Sequence, residues 1–253
     1  MSDDFEDHCW RDVVSPEALR IYKTFKRQTR VGVRPALLAV DLWRRVYRGG
    51  ALPPHELSDR NPSACGIYAW DAIAPTQALF AAARAAKLPI FYTTTSLVLH
   101  GGVHPVNKAT HRNLEGLQFW DDDYEIKEEF APQPTDIMVY KDRASGFFGT
   151  PLIADLNRLG INSLIVCGES TSGCVRAAVM DAFALGYHVT LAEECVFDRY
   201  ELTHKINMFD MHHKYADVMK VDEIVAHLKR MTGNSPVGEE LDQAGSIGLA
   251  VVS

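Results

Sequence analysis

Short apolar runs alternate along this chain with longer amphipathic segments, and the alternation predicts strands and helices in turn. The apolar runs are nearly continuous in hydrophobic side chains, which is typical of strands that are buried on both faces of a parallel sheet. The predicted strands are Pro35 to Asp41, Leu88 to Thr94, Asp136 to Tyr140, Ser163 to Cys167, Tyr187 to Ala192 and Asp217 to Val221.

Helical segments separate these strands, and two of them open with a hydroxyl residue followed by proline, Ser15-Pro16 and Thr150-Pro151, a pattern that caps helices. This order predicts an α/β fold with a three-layer, doubly wound sheet of about six parallel strands and helices on both faces. The predicted helices are Ser15 to Arg30, Ala74 to Ala86, Leu152 to Leu159, Cys174 up to Gly186, Glu201 to His213 and Asp222 to Arg230.

The length of 253 residues suffices for one domain with a full hydrophobic core. We expect a loose N-terminus over residues 1–14, a domain over 15–231, and a tail or oligomer-forming arm over 232–253. Residues 44–70 and 96–131 read as long loops, and loops of such length in a compact domain are usually functional.

Composition narrows the possible partners. The net charge is −7 and there is no basic run, so we expect no nucleic-acid partner. No apolar stretch approaches the length of a membrane span, and the first ten residues are acidic and polar, unlike a secretory signal. The five cysteines are odd in number and form no C-x-x-C pair, which favours a reducing cytoplasm over a disulfide framework or a zinc ribbon.

The stretch from Ser163 to Gly186 forms a strand, a turn and a helix, with Cys174 at the start of the helix. Unpaired N–H groups at a helix N-terminus favour a thiolate, so Cys174 is a candidate nucleophile, although most cysteines are buried core residues. The turn also resembles a P-loop, but it lacks the phosphate-binding lysine, and it lacks the second glycine of a serine nucleophile elbow.

Two further charged residues end predicted strands. Asp41 is the last residue of the first strand and Lys141 follows the third, although each could equally be a surface residue on local grounds. Since the carboxyl ends of parallel strands meet at one edge of the sheet, we expect Asp41, Lys141 and Cys174 to lie together. Their coincidence at one edge makes a reactive site the better interpretation.

The strings LLAVD, YKDRASGFFGTPL and CGESTSGCVRAAVMDAFALGYHVTLAEECVFDR resemble the isochorismatase-like cysteine hydrolase family. The resemblance covers about residues 15–230 and is greatest to the branch of N-carbamoylsarcosine and maleamate amidohydrolases. It implies a catalytic triad of Asp41, Lys141 and Cys174 and a cis peptide bond between Glu169 and Ser170. It also implies that the N–H groups of Ser170 and Cys174 form an oxyanion hole, as such a turn would allow.

The same resemblance implies hydrolysis of a small carboxylate-bearing amide or carbamoyl compound, with release of ammonia. In this branch an arginine after the next strand binds the substrate carboxylate, and Arg199 matches that position, which suits its bidentate guanidinium. Its alternative role is a structural surface ion pair. We expect Trp43, Phe147 and Phe148 to line the substrate pocket, although such aromatic residues more often lie in the hydrophobic core. Dimers or tetramers of identical chains are expected.

Metal-binding relatives carry Asp-x-His-x-x-His after the second strand, and this chain has no aspartate there. His100 and His104 lie in a glycine-broken loop and form a weak ligand set, so we expect neither a metal nor another cofactor. True isochorismatases lack the nucleophilic cysteine, so Cys174 argues against ether hydrolysis. Two other interpretations stay open: a catalytically silent binding subunit, and a flavodoxin-like nucleotide binder.

Overall fold

A computed structural model describes residues 4–95 and 116–233. Six strands form one sheet in the order β3-β2-β1-β4-β5-β6, and every neighbouring pair is parallel. The prediction of a six-stranded parallel sheet is therefore confirmed. The strands are β1 (Pro35–Val40), β2 (Ile90–Thr94), β3 (Ile137–Tyr140), β4 (Ser163–Glu169), β5 (His188–Phe197) and β6 (Asp217–Met219).

Alternate side chains of each central strand point to opposite faces, and both faces are covered by helices. On β1, Leu38 packs into a core with Val179 and Met208, whereas Leu37 packs into a second core with Leu79. The helices are α1 (Pro16–Ile21), α2 (Pro54–Leu57), α3 (Ile67–Asp71), α4 (Ile73–Ala85), α5 (Leu152–Arg158), α6 (Arg176–Ala184), α7 (Glu201–Lys214) and α8 (Val221–Gly233).

The strand order reverses direction between β1 and β4. In open parallel sheets, the crevice beyond the carboxyl ends of the strands at such a switch point is where ligands bind. Here β1 pairs with β2 on one side and with β4 on the other. The segments that follow β1 and β4 therefore border this crevice.

The N-terminal segment differs from its prediction. Residues 1–3 lie outside the description, but Trp10 is completely buried and Phe5 is 6% exposed. His8 Nδ1 lies 2.6 Å from Glu193 Oε2, and the Cys9 N–H donates to Glu193 Oε1 at 2.6 Å. The expectation of a loose segment over 1–14 is thus wrong from Phe5 onward, because apolar burial and Glu193 hold the segment against the domain.

Several element boundaries also differ. The first helix does not run to Arg30 but ends at Ile21 and continues as a 3₁₀ turn, Tyr22–Phe25. The predicted loop over 44–70 contains α2, α3 and a 3₁₀ turn at Arg44–Tyr47. The last helix continues to Gly233, past the predicted domain boundary at residue 231, and the predicted tail beyond it lies outside the described residues.

Within the described parts of the chain, no helix is long and apolar enough to cross a membrane.

Candidate active site

Three of the predicted site residues meet at the carboxyl edge of the sheet. Asp41 directly follows β1, Lys141 directly follows β3, and Cys174 lies in the turn after β4. Lys141 Nζ donates to Asp41 Oδ2 at 2.8 Å and lies 3.5 Å from Cys174 Sγ. One ammonium group therefore bridges a carboxylate and a thiol.

Burial sets the electrostatics of this group. Asp41 is 0% exposed, and Lys141 and Cys174 are each 4% exposed. A buried charge is costly unless it is paired and hydrogen-bonded, and the attraction between paired charges strengthens where water is excluded. The Lys141–Asp41 pair meets this requirement, and the cation lies against the sulfur.

The Asp41 carboxylate has a second support that sequence reasoning missed. Thr93 Oγ1 donates to Asp41 Oδ1 at 2.8 Å, while the Asp41 N–H lies 3.2 Å from both the Thr93 carbonyl and its hydroxyl. Asp41 has φ of +52°, a left-handed conformation that aspartate tolerates better than most residues. Thr93 is part of the run Thr93-Thr94-Thr95 at the end of β2, and this hydroxyl run was the available signal.

The turn that carries Cys174 depends on two glycines. Gly168 has φ of +110°, and a Cβ there would lie 1.9 Å from the Val40 carbonyl oxygen. Next comes the Glu169–Ser170 peptide bond, which is cis. A Cβ on Gly173 would lie 2.5 Å from Ser170 Oγ, so a larger residue there would displace the Ser170 hydroxyl.

Cys174 itself lies in a turn, Thr171–Val175, whose backbone is kinked at Gly173 just before α6 begins. The Ser170 carbonyl accepts hydrogen bonds from the N–H groups of Gly173 and Val175, at 2.9 and 3.1 Å. The turn is thus closed on itself, and it presents the sulfur toward Lys141.

Arg199 lies two residues after β5, and its guanidinium is directed toward a carboxylate of the chain. Its Nη2 lies 3.8 Å from Glu169 Oε2, and the Arg199 side chain is 41% exposed. Burial acts to lower the pKa of Arg199, but Glu169 raises it, and the net pKa lies above its usual value. Arg199 therefore carries its charge beside the cis peptide, and part of its surface faces solvent.

The three predicted aromatic residues lie in different surroundings. Lys141 Nζ lies 5.8 Å from the centre of the Trp43 ring, which is 6% exposed, so Trp43 borders the charged group. Phe147 is 9% exposed and belongs to the same core cluster as Cys174. Phe148 is 66% exposed, and contact of any of the three with substrate stays a prediction.

His100 and His104 lie outside the described residues. Among the residues described, no group of three or more histidine, cysteine, aspartate or glutamate side chains is arranged to hold a metal ion.

Comparison with known proteins agrees with this fold. The chain is 31% identical to the N-carbamoylsarcosine amidase of an Arthrobacter species over 212 residues. This aligned stretch covers 81% of this chain and 75% of that enzyme. It is 37% identical to the maleamate amidohydrolase of Pseudomonas putida over 106 residues. That aligned stretch covers 42% of this chain and 50% of the enzyme. This second match thus spans half the length of the enzyme.

Solved structures resemble the chain over most of its length. A cysteine hydrolase from Pseudomonas syringae has a TM-score of 0.65 at 21% identity, covering 81% of this chain and 99% of that one. The N-carbamoylsarcosine amidase from Thermoplasma acidophilum has a TM-score of 0.57 at 23% identity, covering 75% and 98%. At these identities the likeness concerns the fold.

The family model that describes the isochorismatase domain matches residues 35–223, from the start of β1 into α8. Since this match includes the whole sheet and the three residues at its carboxyl edge, the chain belongs to the isochorismatase family.

Proposed function

We propose that this protein is a cysteine amidohydrolase that cleaves a linear carbon–nitrogen bond other than a peptide bond in a small carboxylate-bearing compound. The observation that supports it most is the position of Lys141 Nζ, 2.8 Å from Asp41 Oδ2 and 3.5 Å from Cys174 Sγ. A base and a cation beside a buried thiol are the groups that nucleophilic cysteine catalysis needs.

In the proposed first half-reaction, Asp41 takes the proton of the Cys174 thiol while Lys141 stabilises the thiolate. The thiolate attacks the carbonyl carbon, and the N–H groups of Ser170 and Cys174 stabilise the oxyanion. The carbon–nitrogen bond then breaks, and Asp41 gives its proton to the departing ammonia. The product of this half-reaction is an S-acyl group on Cys174, a thioester from an amide substrate or a thiocarbamate from a carbamoyl substrate.

In the second half-reaction, Asp41 removes a proton from water, which attacks the carbonyl of this S-acyl group. The same oxyanion hole stabilises the second tetrahedral intermediate. The carbon–sulfur bond breaks, and the thiolate of Cys174 recovers its proton from Asp41 as the acid product leaves. Each half-reaction uses one carboxylate as base and then as acid, so the site returns to its starting charge.

Arg199 is the proposed partner of the substrate carboxylate, because its side chain is charged, partly exposed and close to the turn that carries Cys174. The relatives named above act on N-carbamoylsarcosine and on maleamate, and both names denote small acids with a linear C–N bond. We propose N-carbamoylsarcosine-like compounds as substrates, with maleamate-like compounds as the alternative. Assembly into dimers or tetramers and a cytoplasmic location are parts of the same proposal.

The test is release of ammonia from a panel of small amides and carbamoyl acids, each paired with its neutral analogue. We expect turnover of at least one acid, and we expect Cys174→Ala to abolish it while leaving the melting temperature close to that of the wild type. Mass spectrometry of the quenched wild-type enzyme should detect the acyl group on Cys174. A Cys174→Ala variant that retains a substantial share of the activity would contradict the covalent mechanism, and a wild type inactive on the whole panel would favour a silent binding subunit.

A further inference from the structure

Two side chains that play no part in the proposed reaction, Asp198 and His204, contact the turn between Ser170 and Cys174. Ser172 donates to Asp198 Oδ2 through both its N–H and its hydroxyl, at 2.8 and 2.7 Å. The neighbouring hydroxyl, Thr171 Oγ1, lies 2.7 Å from Nδ1 of His204 on α7. These two contacts fix the residues that join the two N–H donors of the proposed oxyanion hole.

We propose that His204 is a positioning residue, which holds Thr171 and thereby keeps the N–H groups of Ser170 and Cys174 aimed at one point. This inference rests on the proposed function. Thr171 directly follows Ser170 and is 0% exposed, so its hydroxyl has no access to solvent. Oxyanion donors must lie within about 2.7–3.1 Å of the developing charge, and small displacements of such groups reduce rates steeply.

His204 is itself held at both ring nitrogens. Opposite the Thr171 contact, its Nε2 lies 3.7 Å from Cys9 Sγ of the N-terminal segment. Burial lowers the pKa of His204, so the ring is neutral at neutral pH. Burial and the nearby Glu193 raise the pKa of Cys9, so that sulfur is a thiol. A neutral ring between a hydroxyl and a thiol suits a fixed structural contact better than proton transfer.

Other contacts of the turn do not replace this one. The Ser170 carbonyl is fixed by N–H groups within the turn, and Ser172 is fixed by Asp198. The contact that holds the Thr171 side chain comes from α7, an element that contributes no group to the proposed chemistry. Loss of the His204 nitrogen would leave a buried hydroxyl without its partner, and the turn would gain freedom to shift.

Two pairs of variants separate the hydrogen bond from packing. His204→Phe keeps ring volume without nitrogen, whereas His204→Asn places an amide near the Nδ1 position. Thr171→Val removes the hydroxyl at nearly constant volume, and Thr171→Ser keeps it. We expect His204→Phe and Thr171→Val each to lower kcat about 10- to 100-fold with KM changed less than about threefold, as for a weakened oxyanion hole. The Asn and Ser variants should recover most of the rate.

The double variant Thr171→Val/His204→Phe should be little worse than either single variant, because both remove the same contact. His213 offers a matched control, since it is also a buried histidine of α7 and its Nδ1 bonds the Phe209 carbonyl at 2.8 Å, away from the turn. We expect His213→Phe to lower the melting temperature and leave kcat unchanged.

A cavity beside His204 allows a further test, in which imidazole replaces the missing ring. His204 and Cys9 both line a cavity of about 450 Å³ that opens to solvent between α4 and the end of β5. In His204→Ala, added imidazole should reach the vacated position from this cavity and restore kcat at least about fivefold. Imidazole should not change the kcat of His213→Ala, because His213 does not line that cavity.

Hydrogen–deuterium exchange tests the inference independently of activity. Peptides covering residues 170–175 should exchange faster in His204→Phe and Thr171→Val than in the wild type, and not in His204→Asn or His213→Phe. If the wild type hydrolyses no compound of the panel, the proposed function fails, and this exchange comparison decides whether His204 holds the turn. If His204→Asn loses as much kcat as His204→Phe, or if exchange over 170–175 is unchanged in His204→Phe, the inference is overturned.

Discussion

At the scale of single residues, the acid–base role proposed for Asp41 depends on its two carboxylate oxygens having different hydrogen-bond partners. Oδ2 accepts from Lys141 and Oδ1 accepts from Thr93, each at 2.8 Å. A positioned general base contributes about 10²- to 10⁴-fold to a rate. We therefore expect Asp41→Asn to lower kcat by about that factor, and Lys141→Met to lower it similarly, with ammonia release as the measurement.

Thr93 supplies the matched control for this prediction. Thr93→Val removes the hydrogen bond to Oδ1 and should lower kcat by a smaller factor, whereas Thr93→Ser should leave kcat close to the wild-type value. An Asp41→Asn variant that turns over at more than about a tenth of the wild-type rate would contradict the role of Asp41 as base.

The proposed preference for acidic substrates also concerns one residue, Arg199. If Arg199 binds the substrate carboxylate, Arg199→Ala should raise KM strongly for an acid and barely change it for the neutral amide of the same size. Arg199→Lys should recover part of the loss, because an ammonium lacks the bidentate geometry. Equal effects on both substrates would show that the Glu169 contact at 3.8 Å makes Arg199 structural.

The sequence predicted the positions of some residues of the candidate site better than those of others. Asp41, Lys141 and Cys174 could be placed at one edge because each follows a strongly apolar strand, and strand ends are readable from hydrophobic pattern. Thr93 could not be assigned to Asp41, because which strand lies beside β1 is decided by sheet order. His204 carries no local signal either, since its partner Thr171 is 33 residues away.

At the scale of elements, the N-terminal segment shows the limit of local pattern. It has acidic residues and no strong periodicity, yet tertiary contacts order it, and Trp10 packs against His212 and Phe209. We expect Trp10→Ala to reduce the free energy of unfolding by about 3–5 kcal/mol, the usual cost of removing a buried aromatic ring. Denaturant titration would measure the loss.

A surface position of the same segment provides the comparison. Val13 is 38% exposed, so Val13→Ala should change the free energy of unfolding by no more than about 0.5 kcal/mol. A loss from Trp10→Ala as small as that from Val13→Ala would mean that the burial of this segment contributes little to the stability of the fold.

Strand β5 was likewise longer than its sequence pattern indicates. The strand was predicted to end at Ala192 because Glu193-Glu194 is polar, but it continues to Phe197. The pairing register with β4 shifts between Val166 and Gly168, and the glutamates lie in this irregular part. Glu193 bonds the N-terminal segment and Glu194 accepts from the Val221 N–H, so distant partners satisfy both carboxylates.

At the scale of the whole molecule, buried groups with lowered pKa values make stability fall in acid; besides His204, described above, they include His212 and Glu193. Burial and neighbouring positive charges lower the pKa of His212 to about 2, and His212 is 0% exposed. Hydrogen bonds from His8 and Lys220 outweigh burial and lower the pKa of Glu193 to about 2. In the unfolded chain both groups have ordinary pKa values, so below those values the unfolded state binds more protons and gains relative stability.

The pH window follows from these values. His212 has an unfolded pKa of about 6.5, so its effect begins as the pH falls below 6.5, and Glu193 adds to it below about 4.5. Between pH 6.5 and 4.5 we expect His212 alone to lower stability by up to about 1.4 kcal/mol per pH unit, in addition to the contribution of His204. His212→Asn keeps an acceptor for the Val218 N–H and should flatten this part of the curve, measured by urea titration at several pH values. An unchanged slope would contradict the assignment to His212.

The fold as a whole was predictable because its strands are continuous apolar runs and the segments between them have the hydrophobic periodicity of helices. Sheet order, the packing of the first residues and the turn behind Cys174 depend on contacts between distant parts of the chain. Hydrophobic pattern in one sequence reports the burial of a segment and not the identity of its neighbour.

The position of the charged group at the switch point also bears on how the protein acquires its reactivity. Asp41 and Lys141 are 100 residues apart, and Lys141 and Cys174 are 33 apart, so their contacts belong to the slow, non-local part of folding. Before the sheet assembles, Cys174 lacks its cation and behaves as an ordinary cysteine in an unfolded chain. If Cys174 is the nucleophile, as proposed, a newly synthesised or damaged chain carries no activated thiol, and the reactive group exists only in molecules whose central strands have already paired.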